Sequence, residues 1–460
     1  MGKKNKIVSD SMGQVEIPST ALYQAQTQRA LDNFKISDLR LPAALIHALV
    51  LIKKACARVN QQAGGLDQER ADAIQNSADK LLQGAHADQF AVDVFQTGSG
   101  TSTNMNVNEV IATLASDHVD VHPNDHVNMG QSSNDVFPSA IHVAACLQIH
   151  DDLLPAMLDL EQALFERSES HASTVKTGRT HLMDAMPITL GQEISAWGAQ
   201  VRDDRYRIQT GLTRLQKLAI GGTAVGTGIN TSEDFGDQVC ALLKSETGIR
   251  FDPMENRFQA LSTQDTALEI SGHFRVLATS LGKICNDLRW MNSGPLTGLG
   301  EITLEAVQPG SSIMPGKVNP VIPEAILMAS AQVHGNDTTI STAAQSGSFQ
   351  LNVMLPVIAY NLLQSCQILA NACRSLRGVV SSFEVNHEAL AQGLAKNPIL
   401  VTALNPLIGY QKAAEIAKTA LREKRPILEV AVEMTDFGEA ELRELLDPAR
   451  LALKQQDSAN

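Results

Sequence analysis

Apolar residues in the middle of the chain recur in alternating steps of four and three. Ile270, Phe274, Leu277, Leu281, Ile284, Leu288 and Met291 follow this rule, as do Leu355, Ala359, Leu362, Cys366, Leu369, Cys373, Leu376 and Val380. Leu190, Ile194, Trp197 and Val201 begin a third stripe, which Asp204 interrupts and Ile208 and Leu215 resume. Steps averaging about 3.5 residues are the seam of a left-handed helical bundle. Each such helix runs roughly 25–30 residues, or about 40 Å at 1.5 Å per residue. Asp135–Glu169 and Pro323–Ile340 read as two more bundle helices, the first bent by Pro155. Val276, Ile358 and Ile368 put apolar surface on other faces, more than one bundle covers, so the bundle is expected to pack against further copies of itself.

The flanking regions are more broken. Residues 1–40 are mixed and turn-rich. Leu41 to Gln62 reads as a helix that Gly64-Gly65 stops, and a second starts near Asp67. The segments around His122–His126, Gly130–Asp135, Lys176–Pro187 and Gly221–Gly228 read as loops, with Pro123 excluding a helix in the first. Beyond about residue 392, Asn397-Pro398 and Asn405-Pro406 precede short helices over Lys412–Glu423, Ile427–Thr435 and Glu439–Leu446. The expected fold is all-α. Three domains, residues 1–137, 138–392 and 393–460, are arranged around a central long five-helix bundle.

Composition agrees with helices. The 460 residues are 43% hydrophobic but only 4% aromatic, so Ala, Leu, Ile and Val supply the bulk. A net charge of -13 with no long basic run speaks against nucleic acid. It does not exclude an anionic substrate, because a site's own groups dominate at short range. None of the six cysteines forms a C-x-x-C pair, so neither an iron–sulfur cluster nor a structural zinc is expected. The start carries Lys3, Lys4 and Lys6 without a following apolar stretch, and no apolar run approaches the roughly 20 residues of a membrane span. A cytoplasmic protein that touches no membrane is expected.

Four polar stretches hold the candidate chemistry. Ser99-Gly100-Thr101 opens an Asn-rich helix, and N-capping explains it locally as well as anion binding does. Ser132-Ser133-Asn134 and Thr180-His181 add hydroxyls, an amide and an imidazole. The fourth, Gly310–Pro320, carries Ser311, Ser312, Lys317, Val318 and Asn319 in a segment whose Pro315 and Gly316 exclude helix and strand. Hydroxyls, amides, one lysine and one histidine suit a small carboxylate substrate and proton transfer without metal or cofactor.

Gly310–Pro320 matches the pattern GSSxMPxKxNP, and Asp10–Gly13, Ala25–Ala30 and Leu190–Glu193 match further signatures, so the chain resembles the fumarase/aspartase superfamily nearly end to end. Gly178–Ala185, His122-Pro123-Asn124-Asp125 and Met314–Lys317 resemble its class II, iron-independent fumarate hydratases. Aspartases usually carry Gln at the position of His181 and Ala at that of Gly316. The resemblance implies reversible anti addition of water to fumarate, giving L-malate, as in the tricarboxylic acid cycle. Ser311 would be the base, His181 the other acid/base and Glu324 the partner of His181. Ser99, Gly100, Thr101, Ser132, Ser133, Asn134, Thr180, Ser312, Lys317, Val318 and Asn319 would bind the dicarboxylate, and His122–Asp125 would form a secondary carboxylate site. A homotetramer would build each site from loops of three subunits. Gln24, Ser102-Thr103 and Gln411 depart from the common pattern at positions without a catalytic role. Aspartate ammonia-lyase activity and a non-catalytic, crystallin-like assembly are the competing readings.

Overall fold

A computed structural model describes residues 5–453; the basic start at Lys3 and Lys4 lies outside them. The chain divides into two compact units. The first holds residues up to Pro155 with Asp204–Ala278 and Ala329–Asn371, the second Ala156–Asp203, Thr279–Met328 and residues from Ala372 on.

Four long helices, Leu190–Leu215, Asp265–Met291, Val321–Ala344 and Leu355–Ser382, carry the stripes. Every stripe residue of the first, second and fourth is buried, from Leu190 through Leu215, Ile270 through Met291 and Leu355 through Val380. Asp204, the polar interruption, is buried too and accepts from Arg207 at 2.6 Å. Polar ties fix how these helices meet. Within the first unit, Asp337 accepts from Ser271 Oγ at 2.7 Å and pairs with Arg275 at 2.8 Å. Buried Asn336 donates to Gln364 and Ser365, both at 3.0 Å. Within the second unit, Trp197 Nε1 donates to Asp287 at 3.2 Å. Such pairings penalise a slipped register, because a shift would strand buried polar groups.

The Asp135–Glu169 helix exists as Ser133–Gln148 and Leu154–Ser170, joined by a π-helical turn over Ile149–Leu153. Pro155 lacks an N–H and its ring crowds the preceding turn, so the ladder widens just before it. Leu154 N–H accordingly reaches back to Ile149 O. The distortion is thus a π-bulge.

In the first unit an N-terminal hairpin, Asn5–Asp10 with Gly13–Pro18, leads into the helix Ala25–Asn33. The side chain of Gln24, at that helix's N-cap, makes no capping bond. Glu109, buried on the Thr101–Ala115 helix, caps it instead: its carboxylate accepts from the N–H groups of Gln24, Gln26 and Thr27 and from Thr27 Oγ1. Burial pushes this carboxyl above its usual range even against four donors. The expected helices at 41–62 and from 67 are Ala43–Gln62 and Gln68–Leu82, the second capped by Asp67.

In the second unit the stretch Lys176–Pro187, expected as a loop, is mostly a β-hairpin, Val175–Thr180 with Met183–Thr189. Its charged residues mask the strand signal because Lys176 is buried in ion pairs with Glu193 and Glu301, while Arg179 holds the other oxygen of Glu301. The C-terminal helices Tyr410–Glu423, Ile427–Met434 and Glu439–Leu445 close over a core of their own that includes Leu404, Ile416, Val430 and Leu442. Among the described residues no helix is long and apolar enough to cross a membrane.

Glu109→Gln turns an NH2 toward donors that need an acceptor. Unfolding in denaturant is expected to show a loss of about 2–3 kcal/mol; an unchanged midpoint would remove Glu109 from this capping role.

Candidate active site

The first unit brings two of the four polar stretches together. Ser99 Oγ and Thr101 Oγ1 share a hydrogen bond of 2.7 Å. Gly100 sits at φ +75, and a Cβ there would lie 2.2 Å from the Phe137 ring, so only glycine lets this turn dock on the Ser133–Gln148 helix. From the first turn of the helix that Gly100 opens, Asn104 Nδ2 donates to Ser133 Oγ at 3.1 Å. Ser132 caps the Ser133–Gln148 helix, accepting from Asn134 N–H at 3.2 Å, and Asp135 accepts from Ser132 N–H at 2.9 Å. Asn134 Nδ2 donates to Ala224 O at 2.8 Å.

Asp135 also accepts from Gly221 N–H at 3.0 Å and Thr223 N–H at 2.9 Å. One buried carboxylate therefore ties the Ser132 turn to the Gly221–Gly228 loop, whose glycines admit the close approach expected of them. Burial pushes the Asp135 carboxyl up to about 6, opposed by those three N–H donors.

His122–Asp125 does not lie in a plain loop. Pro123–Val127 forms a single π-helical turn with Pro123 at its first position, where no N–H is needed. His126 Nδ1 accepts from His122 N–H at 2.8 Å, and His122 Nδ1 accepts from Asp125 N–H at 3.2 Å. The turn is solvent-facing and ends at Asn128.

In the second unit the Gly310–Pro320 segment is irregular, as its prolines and glycines require. Its base is pinched: Asn319 Nδ2 donates to Gly310 O at 2.5 Å, and a Cβ on Gly310 would lie 2.1 Å from Lys317 O. Inside the loop, Ser311 Oγ accepts from Ile313 N–H at 3.3 Å and Met314 N–H at 3.0 Å. Gly316, at φ +82, lets Lys317 N–H return to Met314 O. Lys317, Val318, Asn319 and Glu324 line one cleft of about 1020 Å³, together with Arg289, Asn292 and Glu384. Glu324 lies in the first turn of the Val321–Ala344 helix.

Thr180 and His181 lie at the hairpin tip. His181 and Leu182 take φ of 56 and 60 at its two-residue turn. A left-handed conformation costs a residue with a Cβ about 1–2 kcal/mol, and glycine or asparagine normally fills such turns. The tip presents His181, and Leu182 and Met183 stay 65% and 70% exposed. No hydrogen bond or ion pair among the described residues joins His181 to Glu324 or to Ser311.

Several supporting residues escaped sequence reasoning. Asp135 carried a signal, the Ser132–Asp135 capping box. Lys53, Lys176 and Glu301 carried none, because an isolated charged residue in a helix or loop reads as solvated.

The comparisons agree with this geometry. The family described as Lyase matches residues 13–335, and that described as Fumarase C C-terminus matches residues 400–452. Fumarate hydratase class II 2 of Pseudomonas aeruginosa is 56% identical over 97% of this chain and 98% of its own. Fumarate hydratase class II of Thermus thermophilus is 48% identical over 97% of this chain and 98% of its own. The crystal structure of recombinant class II fumarase from Schistosoma mansoni superposes with a TM-score of 0.96 at 37% identity, covering 98% of this chain and 100% of that one. A fumarase-type loop, a matching C-terminal segment and end-to-end likeness place this chain in the class II fumarate hydratase family.

Proposed function

We infer that this chain is a fumarate hydratase, adding water reversibly to fumarate to give L-malate. The observation that carries the reading is the pinched Gly310–Asn319 loop, which holds Ser311, Lys317 and Asn319 together.

In the malate-to-fumarate direction a base removes a proton from the carbon beside one carboxylate. The charge passes into that carboxylate, leaving an aci-carboxylate dianion, and an acid assists loss of hydroxide from the neighbouring carbon. Ser311 is the proposed base. A serine hydroxyl is a poor base unless its alkoxide is stabilised. The Ile313 and Met314 N–H groups aimed at its Oγ favour that alkoxide over the neutral hydroxyl. Lys317 and Asn319 are proposed to hold the dianion, the largest energetic task of the reaction. One N–H of Asn319 pins the loop base through Gly310 O, and its amide has a second to offer. His181 is the proposed acid, acting directly or through water, with Glu324 beside it. Ser99, Gly100, Thr101, Ser132, Ser133, Asn134, Thr180, Ser312 and Val318 are proposed to position the dicarboxylate, and His122–Asp125 to form the secondary carboxylate site.

Two features support a homotetramer whose sites draw on several subunits. His181 is not bonded to its proposed partner within one chain. Apolar side chains beside the reactive groups, Leu182, Met183 and Ile313 (82% exposed), project into solvent as residues awaiting a partner surface do. Domains at 1–137, 138–392 and 393–460 and a cytoplasmic location complete the proposal; six free, buried cysteines suit a reducing compartment.

Ultraviolet assay of fumarate will register turnover of malate by the purified protein; release of ammonia from aspartate without malate turnover would contradict the reading. Ser311→Ala is expected to keep the oligomer and lose about 10²–10⁴-fold in kcat, and an unchanged rate would remove Ser311 as the base. Gly310→Ala, measured for turnover and thermal unfolding, is expected to cost more than about tenfold in kcat with little change in melting, because its Cβ opens only the loop base; full activity would show that the pinch is dispensable.

A further inference from the structure

Lys53 lies within the helix Ala43–Gln62 and is entirely buried. Fully buried lysines are rare, and they normally face a carboxylate. Among the described residues Lys53 makes no ion pair. Its ammonium donates to two amide oxygens, Asn128 Oδ1 and Gln131 Oε1, both at 2.8 Å. A methionine would fill the same volume without burying a charge, so packing does not account for the lysine.

The two amides flank the Gly130 turn that delivers Ser132, Ser133 and Asn134. Asn128 Oδ1 also accepts from Asn104 at 3.2 Å and Asn108 at 3.0 Å, and Asn128 Nδ2 donates to Gln131 O at 3.2 Å. Gln131 Nε2 donates to the carbonyls of Val127 and Met129. Asn104 reaches onward to Ser133 Oγ. Lys53 is therefore the hub of a buried polar network directly beneath the turn. We propose that Lys53 is a positioning residue for the dicarboxylate: it locks the Ser132–Asn134 turn in its anion-accepting shape and places a buried positive charge behind it. This rests on the reading that the turn binds a substrate carboxylate.

The groups facing Lys53 are few. The Thr101–Ala115 helix presents Asn104 and Asn108, the 128–131 segment presents Asn128 and Gln131, and the Ser133–Gln148 helix presents Asp135. Its own helix presents the Cys56 thiol, with the Cys240 thiol of the Phe235–Thr247 helix beyond it. Burial lowers the ammonium to about 7, with the Asp135 carboxylate pulling it back upward. A bound dianion favours the protonated form, so substrate affinity is highest below neutrality and falls as pH rises through it.

The test is steady-state kinetics of the intact enzyme with fumarate, from a pH unit below neutrality to one above, on Lys53→Met, Lys54→Met and Asn134→Ala. Lys53→Met is expected to raise KM about tenfold at the acid end, the order of one charge-assisted hydrogen bond, with kcat changed less than about twofold. The rise of KM through neutrality expected of wild type should flatten in this variant. Lys54 points elsewhere, to Asp79 and Glu246, so Lys54→Met should leave KM and kcat unchanged. A tenfold KM effect in Lys54→Met as well would reduce the result to bulk charge and overturn the proposal. Asn134→Ala separates the two ideas. If it raises KM and Lys53→Met does not, the role of Lys53 is overturned; if it leaves KM unchanged, the reading of the turn fails. Should Lys53→Met not fold, Gln131→Met, which removes one of the two acceptors, is expected to raise KM several-fold, and an unchanged KM there overturns the proposal.

Discussion

The 3.5-residue apolar seam is the constraint on which the rest of the structure depends. It occupies the long helices for most of their length, so little room remains on them for chemistry. The residues proposed for the chemistry stand at helix termini and in the loops and hairpin between helices. Ser132 caps one helix, Glu324 begins another and His181 tips a hairpin. A seam that needs covering on more than one face also favours assembly of several copies, and the exposed apolar residues beside the reactive loops fit the same demand.

Much of this was legible because periodicity records burial. Every residue picked by the four-three steps is buried, and the interruption at Asp204 is a buried, paired charge. The Gly310–Pro320 loop was legible because two prolines and two glycines leave no regular alternative. The hairpin at Lys176–Pro187 was not. Its strand register depends on Lys176, Arg179, Glu193 and Glu301 neutralising one another in the interior, and two of those four, Glu193 and Glu301, lie outside the hairpin in sequence. The π-helical turn at His122–Asp125 was missed because proline was read as excluding a helix, whereas the first position of a turn tolerates it.

The site's supporting layer is the least legible part and the most instructive. Asp135 and Lys53 are both buried, and each gathers backbone or amide partners from several segments. Nothing in their neighbours' hydropathy reports this, since partners so distant in sequence meet only once the chain has folded. Residue types named for catalysis could be read from one loop at a time. Apart from Asp135 in the Ser132 capping box, the residues that hold those loops in shape could not.

Ser311 and His181 are proposed to serve one reaction although no hydrogen bond joins them within a chain. Mixing two inactive proteins tests it most directly. Ser311→Ala and His181→Asn assemblies are dissociated together, reassociated and assayed with malate. If the two residues of one site come from different subunits, recovery toward about a quarter of wild-type turnover is expected, the share of sites that random mixing leaves with both contributors intact. Mixed assemblies that stay as inactive as their parents would contradict this shared-site reading.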